Sequence, residues 1–584
     1  MTHWIKAKHT TILASMILTL LVQPVYSAAI IEGERMHPVQ GAQGMVVTSH
    51  FLATESAQKV LKNGGNAIDA AVTAAFSLAV TQPRSGNIGG GGFMLISLKE
   101  GGLEKGAVRQ DSVVAIDYRE KAPSLASVDM FLDDDGNVDK PLSRFSHQSA
   151  GVPGTVAGLA LALEKYGTIS LREAMAPAIS LAEQGFIVTP RFSDGLKSRE
   201  KRLKKWQASK AVFYKPDGSY YEPGELFIQK NLAATLKRIS NLGASEFYQG
   251  KTAELLVSEM QKNGGLITLQ DMKNYQPVIR KPIHGSYRGY DIYSMPAPSS
   301  GGVHVVQILN ILEGYPIAEY GHNSAQTIHL MAEAMKHAYA DRSRYLGDED
   351  FVDVPVKGLI SKAYAKTIRE NINLDVATAS TSILPGEPGA YESNETTHFS
   401  IVDQFGNAVA NTYTINFSYG SGIMVDGAGF LLNNEMDDFS AKPGSANAYG
   451  LIGGAANKIE PHKRMLSSMS PTIVKHQGKN FLVTGSPGGS RIITTTLQVI
   501  MNVIDHGLNV QSAVSAPRIH HQWLPDELRI EEGISLDTIH KLKQMGHVIK
   551  QKSAMGAIQS IMLKDDIMYG AADPRRRTSL AAGL

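Results

Sequence analysis

The sequence predicts an α+β protein, and three observations carry that prediction. Helix-forming segments dominate the first part of the chain, short strand-like runs dominate the part after residue 395, and a loop rich in proline and glycine separates them. Residues 53–62 and 66–80 have helix-forming composition and are split by Gly64-Gly65; the second segment is rich in alanine, which suits close packing. A later helix is expected from Ser324, an N-cap residue type, because apolar side chains recur at Ile328, Met331, Met335, Ala338 and Tyr339. Residues 384–395 hold two prolines and two glycines in twelve positions and read as a loop. Strand-like runs follow at 396–402 and 408–415, joined by a turn at 403–407, with further short strands expected at 428–433 and 480–485.

Length and charge bound the rest. A chain of 584 residues can bury a substantial core as one large or two ordinary domains. Residues 1–27 read as a cleavable signal peptide: Lys6 and Lys8 precede an apolar run from Ile12 to Val22, and Val25-Tyr26-Ser27 before Ala28 fits the small-residue cleavage rule. That run is short for a membrane span, so an exported protein without a membrane anchor is expected, placed in a bacterial periplasm. Without those residues the basic and acidic side chains number 55 and 55, which gives no electrostatic case for nucleic acid. Cysteine is absent, which removes thiol nucleophiles and thiolate metal sites and leaves the core to hold the fold.

The candidate nucleophile is Thr396. Two threonines opening a strand are ordinarily strand residues only, but here a loop suited to cleavage precedes them and polar residues follow. A cut between Glu395 and Thr396 would give Thr396 a free α-amine titrating at about 7.7–8.0, a base beside its own hydroxyl. Downstream, Ser486-Pro487-Gly488-Gly489-Ser490 offers backbone N–H groups for an oxyanion hole, and reads equally as a turn. Residues 433–438 crowd amides and acids that could hold an ammonium or form a solvated loop, and Arg119 could bind a carboxylate or a surface acid. The glycine run 86–92 lacks the spacing of a nucleotide fingerprint, and the adjacent His520 and His521 lack metal-ligand spacing. No metal or cofactor is expected.

In this order, residues 86–93, 117–123, 151–158, 396–400, 432–440, 467–468, 485–490 and 573–575 resemble the bacterial γ-glutamyltranspeptidases, members of the N-terminal nucleophile hydrolase superfamily. The resemblance covers essentially the whole mature chain. It implies a four-layer αββα sandwich formed by two subunits of one precursor, residues 28–395 and 396–584. It also implies that Thr396 attacks the carbonyl of Glu395 in maturation and later the γ-glutamyl carbonyl of glutathione and related compounds. The ester then passes to water or to an amino acid or peptide. By the same resemblance Thr414 supports the nucleophile and Gly488 and Gly489 form the oxyanion hole. Arg119, Ser467 and Ser468 take the substrate α-carboxylate, Asn416, Glu435 and Asp438 hold its α-ammonium, and Tyr449 tips a lid loop. Relatives on the same fold include cephalosporin acylases and a poly-γ-glutamate transferase. Asp438 argues against the first, since a glutaryl group has no ammonium, and Tyr449 argues against the second. A non-catalytic binder of γ-glutamyl peptides is the alternative of another class.

Overall fold

Along the strand Gly91–Leu98, side chains alternate between two apolar environments, as a two-residue period requires. Phe93 and Leu95 enter one buried cluster, while Met94, Ile96 and Leu98 enter another. Gly44–Thr48 divides in the same way, with Met45 and Val47 on one face and Val46 on the other. A sheet buried on both faces follows. The computed structural model describes residues 37–99, 103–104, 107–108, 112–386 and 397–584, apart from 443, 445, 446, 448 and 449.

That first sheet has seven strands in the order Leu580–Gly583, Gly44–Thr48, Thr397–Asp403, Ala408–Thr414, Gly91–Leu98, Ser112–Tyr118 and Val278–Arg280. Every neighbouring pair is antiparallel. A second antiparallel sheet runs Val39–Gly41, Ile567–Ala572, Gln559–Lys564, Lys479–Thr484, Thr472–His476, Tyr290–Ser294 and Ile283–Tyr287. One apolar cluster draws on both sheets, joining Phe93, Leu95, Val402 and Ala410 to Ile473, Val483 and Ile561. The other face of the first sheet packs with helices including Phe51–Lys62, Ala67–Thr81 and Thr155–Tyr166. The other face of the second packs with Gly301–Leu312, Ala325–Tyr345 and Arg491–Ile504.

Local signals placed several elements correctly. Ser324 caps the helix Ala325–Tyr345 by accepting the Thr327 N–H at 3.1 Å, and Asn66 forms a capping box with Asp69 at the head of Ala67–Thr81. All fifteen residues of that alanine-rich helix are buried. Lys479–Thr484 matches the strand expected at 480–485.

Two expectations need correction. Residues 428–433 form no strand: Gly427 and Gly429 adopt φ of 71° and 78°, and Val425 N–H closes onto Phe430 O at 2.9 Å, so the apolar run is a buried turn. The chain also does not divide into a helical first part and a sheet-rich second part. Both sheets take strands from before and after residue 396, because short apolar runs such as 91–98 read alike as strand or buried helix. Among the described residues no helix is long and apolar enough to cross a membrane; the expected signal peptide lies outside them.

Candidate active site

The site gathers where the first sheet ends. Arg119 follows the strand Ser112–Tyr118 and is held there by Asp117 Oδ1, which accepts its N–H at 3.0 Å, and by Tyr275, whose hydroxyl donates to its carbonyl at 2.8 Å. Its side chain is fully buried. The guanidinium Nη2 donates to Asp438 Oδ2 at 2.7 Å, Nη1 lies 2.7 Å from Glu435 Oε2 and 3.4 Å from Glu120 Oε2, and Nε donates to Met465 O at 3.2 Å. A surface arginine was one reading of the sequence; burial among three acids excludes it.

Glu435 and Asp438 come from a single short 3-10 turn, residues Glu435–Asp438, which is fixed by the buried amide of Asn433. Asn433 Oδ1 accepts the N–H groups of Gly151 at 2.9 Å and Glu435 at 3.1 Å, and its Nδ2 donates to Gly89 O and Gly151 O. One side chain thus ties three sequence motifs together.

Three carboxylates face one guanidinium, and burial governs their ionisation. Burial pushes Glu120 up to about 7 against the pull of Arg119. Burial, reinforced by the charges of Glu120 and Asp438, holds Glu435 well above the carboxylate range, and burial raises Asp438 as well. Glu120 Oε1 is buried without a hydrogen-bond partner among the described residues, whereas Glu435 and Asp438 share a side-chain hydrogen bond, which requires a proton on one of them. Three acids share one guanidinium, and a ligand ammonium among them would favour their ionised forms.

The remaining residues close around this cage. Ser467 and Ser468 continue directly from the Met465 and Leu466 carbonyls that Arg119 binds, and both are buried. Ser467 is fastened by its N–H to Pro298 O at 2.9 Å and by its carbonyl to Ser300 N–H at 3.1 Å. Thr414 ends the strand Ala408–Thr414, and its Oγ1 accepts the Asn416 N–H at 2.7 Å. Asn416 turns the chain with φ of 67° and donates Nδ2 to Asn434 O at 3.0 Å, beside Glu435. The glycine run 86–92 explains itself here as close packing. A Cβ on Gly90 would lie 1.9 Å from Thr414 O, and one on Gly91 would lie 2.7 Å from Glu120 Oε2.

Gly488 and Gly489 have φ of 143° and 75°, which suits glycine alone. Their carbonyls are engaged by Arg491 Nε and Ile492 N–H, and among the described residues their own N–H groups meet no acceptor. Their loop passes over the start of Thr397–Asp403: a Cβ on Gly485 would lie 2.5 Å from His398 Nδ1. His398 is bonded to Thr412 Oγ1 and Ser400 Oγ, both at 2.9 Å, and burial pushes it down to about 3. It is a neutral structural residue and a poor base. Glu395, Thr396 and Tyr449 lie outside the described residues. An open cavity of about 930 Å³, lined in part by Phe145, Arg199, Arg202 and Phe417, reaches Asn416.

Sequence reasoning gave no role to Glu120, for which adjacency to Arg119 was the one available signal, and placed Asn433 in a cluster that could hold an ammonium, whereas the structure makes it a brace between motifs. His520 bonds Thr494 Oγ1 and Gln522 Oε1, and His521 bonds Asp526 Oδ1. One described trio, His329, Glu333 and His547, brings metal-ligand atoms within 4.8 Å of one another. Its donors are engaged already, His329 Nδ1 with His547 Nε2 at 2.9 Å and Glu333 with Lys336 Nζ at 2.8 Å.

Two antiparallel sheets share an apolar interface, and a buried cage of one arginine and three acids lies just beyond the strand Ser112–Tyr118. The chain belongs to the gamma-glutamyltranspeptidase family, whose sequence profile matches residues 53–583. It is 54% identical over 555 residues to the glutathione hydrolase proenzyme of Escherichia coli (strain K12), covering 95% of this chain and 94% of that protein. The crystal structure of Helicobacter pylori gamma-glutamyltranspeptidase is 48% identical with a TM-score of 0.56, covering 61% of this chain and 97% of that one. Cephalosporin acylase from Bacillus halodurans is 27% identical with a TM-score of 0.83, covering 96% and 99%.

Proposed function

We propose that this chain is an exported, self-processing γ-glutamyl hydrolase and transferase acting on glutathione and other γ-glutamyl compounds. The observation that carries the reading is the buried Arg119 held between Glu435 and Asp438, with Glu120 as a third acid beside it. A γ-glutamyl group carries an α-carboxylate and an α-ammonium at the end remote from the bond that breaks. Arg119, Ser467 and Ser468 take the carboxylate; Asn416, Glu435 and Asp438 take the ammonium.

Removal of residues 1–27 and cleavage between Glu395 and Thr396 leave subunits 28–395 and 396–584, which together form a four-layer αββα sandwich. The two sheets with shared and outer apolar clusters support that layering. The near-complete match of one Helicobacter pylori chain to 61% of this one supports the cut, since residues 28–395 are a similar share.

In turnover the Thr396 α-amine accepts the proton of its own hydroxyl, and Oγ1 attacks the γ-carbonyl. The oxyanion is taken by the N–H groups of Gly488 and Gly489, and the Thr414 hydroxyl orients the nucleophile. The C–N bond breaks as the leaving amine takes the proton, giving a γ-glutamyl ester. Water or an acceptor amine then attacks the ester and restores the threonine. Tyr449 caps the pocket from its lid loop, and the enzyme works in the periplasm.

The likeness to cephalosporin acylase favours a second reading, hydrolysis of a glutaryl amide on the same fold. Such a group brings no ammonium to Glu435 and Asp438, which favours the γ-glutamyl substrate. Intact mass analysis of the exported protein, with turnover of glutathione and of a glutaryl amide, tests both. Two chains beginning at residues 28 and 396 are expected, with Thr396→Ala abolishing cleavage and turnover. An active protein that remains one uncut chain would sink the mechanism.

A further inference from the structure

Behind the loop that carries Asn416, the chain collects arginines for which the reaction has no use. Tyr419, with φ of 67°, donates its N–H to Arg84 O at 2.9 Å and so anchors that loop. Around Tyr419 lies a small recess lined among others by Arg84, Arg191, His50, Thr189 and Thr578. Arg576, two residues before Thr578, lies close enough to Arg84 and Arg191 to feel both charges.

These three cations lack the partners that arginines elsewhere in the chain possess. Arg280, Arg518 and Arg575 each grip carboxylates at 2.5–3.2 Å. Among the described residues no carboxylate pairs with Arg84 or Arg191. Arg576 feels the charge of Asp573, but that acid is already taken by Arg518 at 2.6 Å and Arg575 at 3.2 Å. Burial first, and the neighbouring arginines second, push Arg576 down to about 9 and Arg191 down to about 10. Two more features point the same way. Thr189 caps the nine-residue helix Pro190–Ser198, so the positive end of that helix lies at the recess. His50 accepts the Leu52 N–H on Nδ1 and is kept neutral by burial, so its ring proton sits on Nε2 as a donor.

We propose that Arg84, Arg191 and Arg576 form a binding site for one small tetrahedral oxyanion of the phosphate or sulfate class, which locks the Asn416–Tyr419 loop. Guanidinium forks bind such oxyanions bidentately, whereas chloride uses only the charge. The site joins residues near both ends of the sequence and stands whether or not the proposed γ-glutamyl chemistry does.

The test is thermal unfolding of the purified mature protein in phosphate-free buffer, with phosphate, sulfate or chloride added at constant ionic strength. Wild type should gain a saturable rise on the order of 2 °C with phosphate or sulfate, and calorimetry should find one phosphate per chain. Arg576→Gln and Arg191→Gln should lose the rise. In phosphate-free buffer each should unfold at a higher temperature than wild type, because repulsion is relieved. A merely structural arginine would give the opposite sign. The proposal is overturned if the variants keep the phosphate response, if they unfold below wild type without the anion, or if chloride acts as strongly as phosphate.

Discussion

Replacing Arg119 by methionine removes one cation from among three buried acids, and the structure sets the consequences. The change deletes contacts of 2.7 Å to Glu435 and 2.7 Å to Asp438, together with the 3.2 Å bond to Met465 O. Stranding one side of a buried ion pair costs about 3–5 kcal/mol. The stranded carboxylates can escape that cost by keeping protons, so their folded-state pKa values rise further above the unfolded carboxylate value. A raised carboxylate costs stability that sets in as pH climbs above the unfolded pKa. The deficit of Arg119→Met relative to wild type should therefore widen from pH 5.5 to pH 8. Denaturant unfolding at both values measures it. In the cleaved fraction, hydrolysis of γ-glutamyl-p-nitroanilide should fall on the order of 10²–10⁴-fold in kcat/KM, as expected for a truncated buried charge pair. Adding Asp438→Asn should restore roughly 1–3 kcal/mol of stability and none of the turnover. Equal stability of Arg119→Met and wild type at pH 8, a deficit that narrows as pH rises, or kcat/KM within tenfold of wild type would each refute the reasoning.

Three further outcomes are expected. Glu120→Gln removes a carboxylate raised to about 7 and should stabilise the unliganded protein at pH 8 by about 1–3 kcal/mol. It should also flatten the melting temperature between pH 5 and 7, and an unchanged pH profile would contradict the assigned ionisation. Thr414→Val keeps shape but strands the Asn416 N–H now bonded at 2.7 Å, so a loss of about 1–3 kcal/mol and a fall in kcat are expected; retained kcat would remove Thr414 from the site. Gly90→Ala places a Cβ 1.9 Å from Thr414 O, where backbone must move, so a cost of about 3 kcal/mol with loss of activity is expected, checked by melting temperature and turnover.

What could be read in the sequence was what neighbours in sequence decide. Ser324 and Asn66 cap their helices through bonds to residues three positions on. The turn 403–407 forms because Asp403 Oδ1 accepts the N–H groups of Phe405 and Asn407, both at 2.9 Å. The family resemblance added the site residues, because motif order survives without knowledge of geometry. The buried turn at 427–432 was missed for want of that geometry: a Cβ on Gly429 would lie 2.4 Å from the distant Leu232 N, a contact that no local pattern reveals.

By itself the sequence determined the inventory, the local caps and turns, and the membership of a family. Only the tertiary structure decided that Arg119 meets Asp438 across 319 residues and that Glu120 stands with them as a third acid. It alone decided that this charged group is fully buried. The physical reason is that charge energies depend on distance and on exclusion of water, and both are fixed by chain segments far apart in sequence. The same three side chains in solvent would be an ordinary ion cluster; buried together, the acids share one guanidinium and burial raises them above their ordinary range.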